Sequence, residues 1–378
     1  MKIGFDARRF FFNHSGLGNY SRKLIESLLE NFPENECVLY VDRLDPIDKG
    51  HPDALRILER YGKKSGGQAD CFTLVMVDAP KWWRVWGMGK RAASDGVDVF
   101  HGLSNELPWD LPKHIPSVCT IHDVIYKVFP RYYRWWDRAI YHWKTNRAIQ
   151  VASHLVVTSQ TTQKQVEGYY PQAKGRSSVI YQAVDEAYYS MDKMSLSDSD
   201  EAPYFVYQSS FTDRKNHAAL IEAFAMIQKQ TNWNLKLVGL NGSTLSSVES
   251  QIESMGLSSR ITCLIDQPKD RVVSVVKGAS GFVYPSLNEG FGIPLAESLA
   301  ANLPMAVSNI EVFKELVEDL PEYFHPNKPD ELAAAMMSIT RPEIQAHQRV
   351  KRELLLKKVE AKSIAAQWIS LYSKLMNS

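Results

Sequence analysis

Residues 284–297 read Tyr284-Pro-Ser-Leu-Asn-Glu289-Gly-Phe-Gly292-Ile-Pro294-Leu-Ala-Glu297. The stretch begins as a buried strand and breaks at Asn288-Glu-Gly-Phe-Gly292. It then enters a helix with Pro294 in the first turn, where a missing N–H costs nothing. Gly290 and Gly292 let a ligand come close to the backbone. The N–H groups and the dipole at the helix start favour an anion such as a diphosphate. Glu289 lies before the helix and Glu297 more than a turn inside it, so the two carboxylates can face opposite ends of one ligand. The plainer alternative is a strand–turn–helix junction with two solvated glutamates.

Working outward, the same alternation recurs along the chain. Short apolar strands are predicted at 2–6, 37–41, 71–77, 97–101, 117–121, 154–158 and 177–181, then at 204–208, 233–238, 261–265, 281–285 and 304–307. Strands of this kind separated by helices suit parallel sheets buried on both faces. A helix is predicted from about Gly18 to Phe32, with Tyr20, Leu24, Leu28 and Phe32 on one stripe. Met191–Pro203 is polar and aperiodic and reads as a linker. After residue 341 the pattern is helical, with Ile364, Trp368, Leu371 and Leu375 at helical spacing. The expected fold is two doubly wound α/β domains: 1–183, a linker at 184–203, 204–355, and a C-terminal helix over 356–378 packing back toward the first domain.

Bulk properties agree with this and exclude several classes. A chain of 378 residues exceeds the size at which one core stops growing. Its 44 Lys and Arg against 43 acids leave no global positive field, which argues against a nucleic-acid binder. Cys37, Cys71, Cys119 and Cys263 form no CxxC or Cys/His cluster, so neither zinc nor a disulfide framework is expected and a reducing compartment fits. No signal peptide is read at the start and no run of about 18 apolar residues occurs. The expectation is a cytoplasmic protein, peripheral to a membrane at most.

Three further elements carry candidate chemistry. Arg214-Lys215-Asn216 follows the 204–208 strand; adjacent cations at a helix start oppose the dipole and need a reason to be there. A diphosphate supplies one, although solvated surface cations at a loop are the better reading of the dipeptide taken alone. Ser15-Gly16-Leu-Gly18 joins the first strand to the first helix, but the GxGxxG dinucleotide fingerprint is absent. Thr120-Ile-His122-Asp123 ends a strand, where open α/β sheets place ligands, so His122 is either a site residue or a structural one. Asp198-Ser-Asp200 has the form of a metal motif, but in a Ser/Asp-rich tether it reads as solvated charge, and no metal is expected.

In sum these residues resemble glycosyltransferase family 4, the group 1 glycosyltransferases of GT-B fold. The resemblance is carried by Phe5-Asp-Ala-Arg8, Gly16-Leu-Gly18, His101-Gly-Leu-Ser, Glu106-Leu-Pro108, Thr120–Asp123, Val157-Thr-Ser159, Val179-Ile-Tyr181, Arg214–Asn216, the Glu289/Glu297 spacing, Pro304–Ser308, Glu315 and Pro329–Leu332. It implies two Rossmann-like domains facing each other across a cleft, and a retaining, metal-independent hexosyl transfer, mannosyl favoured. The donor would be a nucleotide-diphosphate sugar, with no separate cofactor. The acceptor would be a glycan or a lipid-linked glycan of cell-surface polysaccharide or glycolipid biosynthesis.

By the same resemblance Glu289 would touch the transferred sugar, and Gly290, Phe291 and Gly292 the sugar or phosphate. Glu297 would hold the ribose, and Arg214 and Lys215, beside Ser209, the diphosphate. Gly16 and Gly18 would close on the phosphate, and His122 would sit by the sugar. The chain departs from the pattern at Ser209, where a glycine is usual, at Gln182-Ala183 in place of Asn-Gly, and after the 261–265 strand, where a glycine is missing. Rival readings are a glycoside hydrolase with two carboxylates about 5–9 Å apart, a GT-B nucleotide-sugar epimerase, and a non-catalytic sugar-nucleotide sensor. Two aromatic–basic segments, Lys81–Trp86 and Phe129–Asp137, suit either sugar stacking and core packing or contact with an anionic membrane.

Overall fold

The computed structural model describes residues 1–42, 50–62, 71–79, 82–189 and 202–377. The chain divides into two compact units, Met1–Ala183 with Val359–Ser378, and Val184–Lys358. Of the predicted features, Asp198-Ser-Asp200, Lys81 and most of the linker lie outside the described residues.

In the first unit the strands are β1 (Lys2–Asp6), β2 (Glu36–Val41), β3 (Phe72–Met76), β4 (Val99–Gly102), β5 (Ser117–Ile121), β6 (His154–Val157) and β7 (Ser177–Val179). They form one sheet in the order β3-β2-β1-β4-β5-β6-β7, every pairing parallel. β1, β4, β5 and β6 are almost wholly buried, as strands covered by helices on both faces must be. The predicted first helix runs Gly16–Asn31; it buries Tyr20, Leu24 and Leu28, while Phe32 stands just past its end as the C-cap.

The helix Ala361–Met376 packs on Gly16–Asn31 within this unit and buries Ile364, Trp368 and Tyr372. Its anchor is His101 on β4, whose Nδ1 lies 2.7 Å from the Tyr372 hydroxyl and whose ring lies 4.5 Å from Trp368. Burial, and then the neighbouring His122, push His101 down to about 3, so it is neutral and structural.

The second unit holds β8 (Tyr204–Gln208), β9 (Asn234–Gly239), β10 (Ile261–Ile265), β11 (Gly281–Tyr284), β12 (Met305–Ser308) and β13 (Glu322–Phe324). The order β10-β9-β8-β11-β12-β13 is again fully parallel. Every strand predicted from sequence is present; β13, three residues long and at the sheet edge, was not predicted. Asp266, where a glycine is usual, takes φ 51, a conformation that Asp tolerates better than most residues. Val184–Tyr189, read as the start of the linker, is folded into this unit: Val184 and Tyr188 are buried.

Candidate functional site

The crossover from β11 into the helix Ile293–Ala300 builds one site, in the second unit. Gly292 is the N-cap, with φ +93, and a Cβ there would come within 2.8 Å of the Phe313 ring, so only glycine fits. Pro294 lies in the first turn as expected. Three residues before the cap, Glu289 is buried, and four side chains donate to its carboxylate. Oε1 accepts from the Lys215 ammonium, from Ser286 Oγ at 2.7 Å and from the Tyr284 hydroxyl at 3.1 Å; Oε2 accepts from Arg214 Nη1 at 2.9 Å. Burial pushes this carboxyl up, but Lys215, then Arg214, and the Lys215 and Ser286 hydrogen bonds outweigh it and hold it at about 2.

Arg214 and Lys215 sit in a single turn, Asp213–Lys215, after β8. Asn216 ends that turn in the left-handed region, φ 59, and its side-chain amide donates to the Pro285 carbonyl at 3.1 Å and to Pro326 at 2.7 Å. Leu287 N donates to the Arg214 carbonyl at 2.9 Å, and Arg214 Nη1 also reaches the Asn288 carbonyl at 3.2 Å. Two loops about 75 residues apart are thereby stapled together, which gives the adjacent cations their reason. Sequence reading found Arg214, Lys215 and Glu289 but missed Tyr284 and Ser286 as their partners; Ser286, three residues before Glu289, was the available signal.

Glu297 lies further along, in the second turn of the same helix, and has a different environment. It is buried and accepts from Gln208 Nε2 at 3.0 Å. Burial first, then the charge of Asp185, raise it to about 7, against weaker lowering by Gln208 and Lys269. The two glutamates of the motif are therefore opposite in kind: Glu289 is a fixed anion, whereas Glu297 titrates near neutrality. Ser209 follows Gln208 and pairs its hydroxyl with His217 Nε2 at 3.1 Å.

Gly16, Gly18 and His122 all belong to the first unit, where a cavity of about 350 Å³ is lined by Ser15 and Leu17 at the start of the helix Gly16–Asn31, His122 and Asp123 after β5, Arg9, and Glu106 and Lys144. Gly16 and Gly18, read from sequence as a loop, form the first turn of the helix Gly16–Asn31; the Gly18 N–H donates to Asn13 Oδ1 at 2.9 Å, and a Cβ there would meet the Asn13 carbonyl oxygen at 1.9 Å. Gly16 faces open space. His122 Nε2 lies 2.9 Å from the Leu103 carbonyl, which can only accept, so that nitrogen carries the proton. Burial lowers His122 despite that bond, so the ring is neutral at pH 7. Glu106 is bridged by Arg84 at 3.2 Å and Lys144 at 2.9 Å. Among the described residues no group of three or more His, Cys, Asp or Glu comes together as a metal site would need.

The comparisons with known proteins agree along the chain. The family described as "Glycosyl transferases group 1" matches residues 192–353, and "Glycosyltransferase Family 4" matches 73–188. O-antigen chain mannosyltransferase RfbU of Salmonella typhimurium is 24% identical over 222 residues, 58% of this chain; the chain spans 60% of that protein's length. O-antigen chain mannosyltransferase B of Escherichia coli is 22% identical over 362 residues, 89% of this chain and 90% of that protein. Among solved structures, Anabaena HepE in complex with UDP and glucose superposes with a TM-score of 0.72 at 16% identity, covering 99% of this chain and 100% of that one. The likeness to solved GT-B glycosyltransferases fixes the fold, and with both family matches the chain belongs to the group 1, family 4 glycosyltransferases.

Proposed function

We propose that this glycosyltransferase is retaining and metal-independent, and moves a hexose, mannose favoured, from a nucleotide-diphosphate sugar to a glycan acceptor in cell-surface polysaccharide biosynthesis. The observation that carries the reading is the Glu289–Arg214–Lys215 cluster at the Gly292-capped helix start. Mannose and the polysaccharide context are supported by the names of RfbU and mannosyltransferase B.

Departure of a nucleoside diphosphate builds negative charge on its terminal phosphate. Arg214 and Lys215, already fixed in place, offset that charge with little reorganisation. Glu289 is a poor nucleophile, since both its oxygens are held by cations and hydroxyls. It is also a poor acid, having no proton at neutral pH. Its role is to take hydrogen bonds from sugar hydroxyls and to hold the two cations. Retention then follows from same-face attack: the bond from C1 to the phosphate oxygen breaks, the bond from C1 to the acceptor oxygen forms on the same side, and the acceptor proton passes to the departing phosphate oxygen. Glu297 binds the ribose hydroxyls. The cavity beside His122 receives the acceptor.

A thermal-shift panel of nucleotide sugars in excess EDTA tests this, because a ligand that binds only the native state raises the melting temperature. At least one nucleotide-diphosphate hexose should raise it in wild type and fail to do so in Lys215→Ala. A panel in which none shifts the transition, with no transfer to any glycan, would overturn the proposal.

A further inference from the structure

The helix Trp135–Val151 is half embedded and half bare. Its C-terminal turns bury Thr145, Ala148 and Ile149. Its first turns leave Trp135, Trp136, Ile140, Tyr141 and Trp143 exposed, Trp135 at 72% and Trp143 at 54%. A water-facing helix ordinarily shows its apolar residues along one stripe, turned inward. Here the apolar side chains are spread round the turns and, among the described residues, remain exposed.

A second segment joins this surface. Trp86 meets Trp109 at 5.0 Å, and Trp109 meets Trp143 at 5.0 Å, so exposed Trp82 and Trp86 are continuous with the bare helix. The charge is one-sided: between residues 127 and 147, Lys127, Arg131, Arg134, Arg138 and Arg147 stand against Asp137, with Lys144 paired to Glu106, in a chain whose net charge is +1. Arg134 lies over Trp136 and Arg147 over Trp109, each at 5.5 Å.

We infer that this surface docks on an anionic lipid bilayer and so brings the acceptor cavity to lipid-borne glycans. Tryptophan suits the headgroup layer and arginine suits anionic headgroups, each cation there contributing about fivefold in affinity. A symmetric pairing of two copies would set the same cationic patch against itself, which disfavours self-association. The link to the cavity is the helix itself, because Tyr141, Lys144 and Thr145 line the cavity. At about 1.5 Å per residue, Tyr141 lies roughly 9 Å from Trp135. The delivery half of the inference rests on the cavity being the acceptor site; the docking half does not.

The test is co-sedimentation of the full chain with vesicles of phosphatidylcholine alone or with phosphatidylglycerol. Wild type should bind the anionic vesicles far better, and added salt should weaken that binding. The exposed pair Arg134→Gln/Arg138→Gln should lose roughly twentyfold or more, and Trp135→Ser/Trp136→Ser should also release the protein, both with unchanged melting temperatures. Transfer to a short soluble glycan should persist in both variants, while transfer to a lipid-linked glycan in vesicles should fall. Equal binding to both vesicle types, or variants that bind like wild type, would overturn the inference; so would a wild-type dimer, dissolved by the tryptophan variant, that ignores vesicles. Vesicle binding requires no turnover, so its failure leaves the transferase reading standing. Binding without transfer to either acceptor would overturn that reading and acceptor delivery together.

Discussion

Replacing Glu289 by alanine strikes the fold and the chemistry together. The carboxylate is buried and accepts from four side chains, two of them cations. Its descent from an ordinary 4.5 to about 2 is worth roughly 3 kcal/mol at about 1.4 kcal/mol per pH unit. Removing it leaves the Lys215 ammonium buried without its carboxylate, and breaking a buried pair in this way costs about 3–5 kcal/mol. Set against a total stability of about 5–15 kcal/mol, that is a large fraction. For a unit of this size it lowers the melting temperature by about 6–20 °C. Glu289→Gln keeps the shape and the contacts with Tyr284 and Ser286 but loses the charge, so it should also destabilise, by less. Glu289→Leu/Lys215→Met removes both charges and should recover most of the loss while remaining inactive. Calorimetric melting of the three variants in dilute buffer, alongside transfer assays at 20 °C or below, separates folding from chemistry. Single variants that melt within about 1 °C of wild type would refute the reasoning, since a carboxylate worth about 3 kcal/mol cannot be removed silently.

Other outcomes follow from the same geometry. Glu289 has a depressed pKa, so its stabilisation is complete above about 4.5 and is lost as pH falls toward about 2. Glu297 is raised, so its contribution is complete below about 4.5 and is lost as pH rises through about 7; melting temperature should therefore decline between those values, and Glu297→Gln should flatten the decline. Arg214→Ala and Lys215→Ala should each weaken binding of the free nucleoside diphosphate by about tenfold or more in titration calorimetry, charge-assisted contacts being worth roughly 1.5–3 kcal/mol. Transfer should survive excess EDTA; loss restored by Mg²⁺ would point instead to Asp198 and Asp200. Tyr372→Phe, which removes the hydroxyl from His101, should cost about 1 kcal/mol in urea unfolding.

The fold was legible because parallel strands buried on both faces leave short, mostly apolar runs, unbroken in Tyr204–Tyr207 of β8 and Phe282–Tyr284 of β11 and interrupted by a single Thr in Val118–Ile121 of β5. β13 escaped because Glu322-Tyr-Phe324 is too short for a periodic signal and pairs along one edge only. The site was legible as residue types: Glu289, Gly292 and the Arg214-Lys215 pair were all named. Their mutual pairing was not, because it depends on Asn216 binding carbonyls 69 and 110 residues away. Nor could the sequence reveal that Glu297 is raised to about 7, since this follows first from its burial and then from the charge of Asp185, which lies in a stretch that reads as linker. The two aromatic–basic segments were visible separately. Their union through Trp86, Trp109 and Trp143 is a product of the fold.

The central claim is that the Glu289–Arg214–Lys215 site transfers a hexose with its anomeric configuration kept. Proton NMR of the anomeric region, followed in EDTA with an α-linked nucleotide-diphosphate hexose and a glycan acceptor, tests it most directly. Wild type should give an α-linked product from the first turnover, and Glu289→Gln, held below its melting temperature, should give none. A β-linked product, or equal rates in the two proteins, would contradict it.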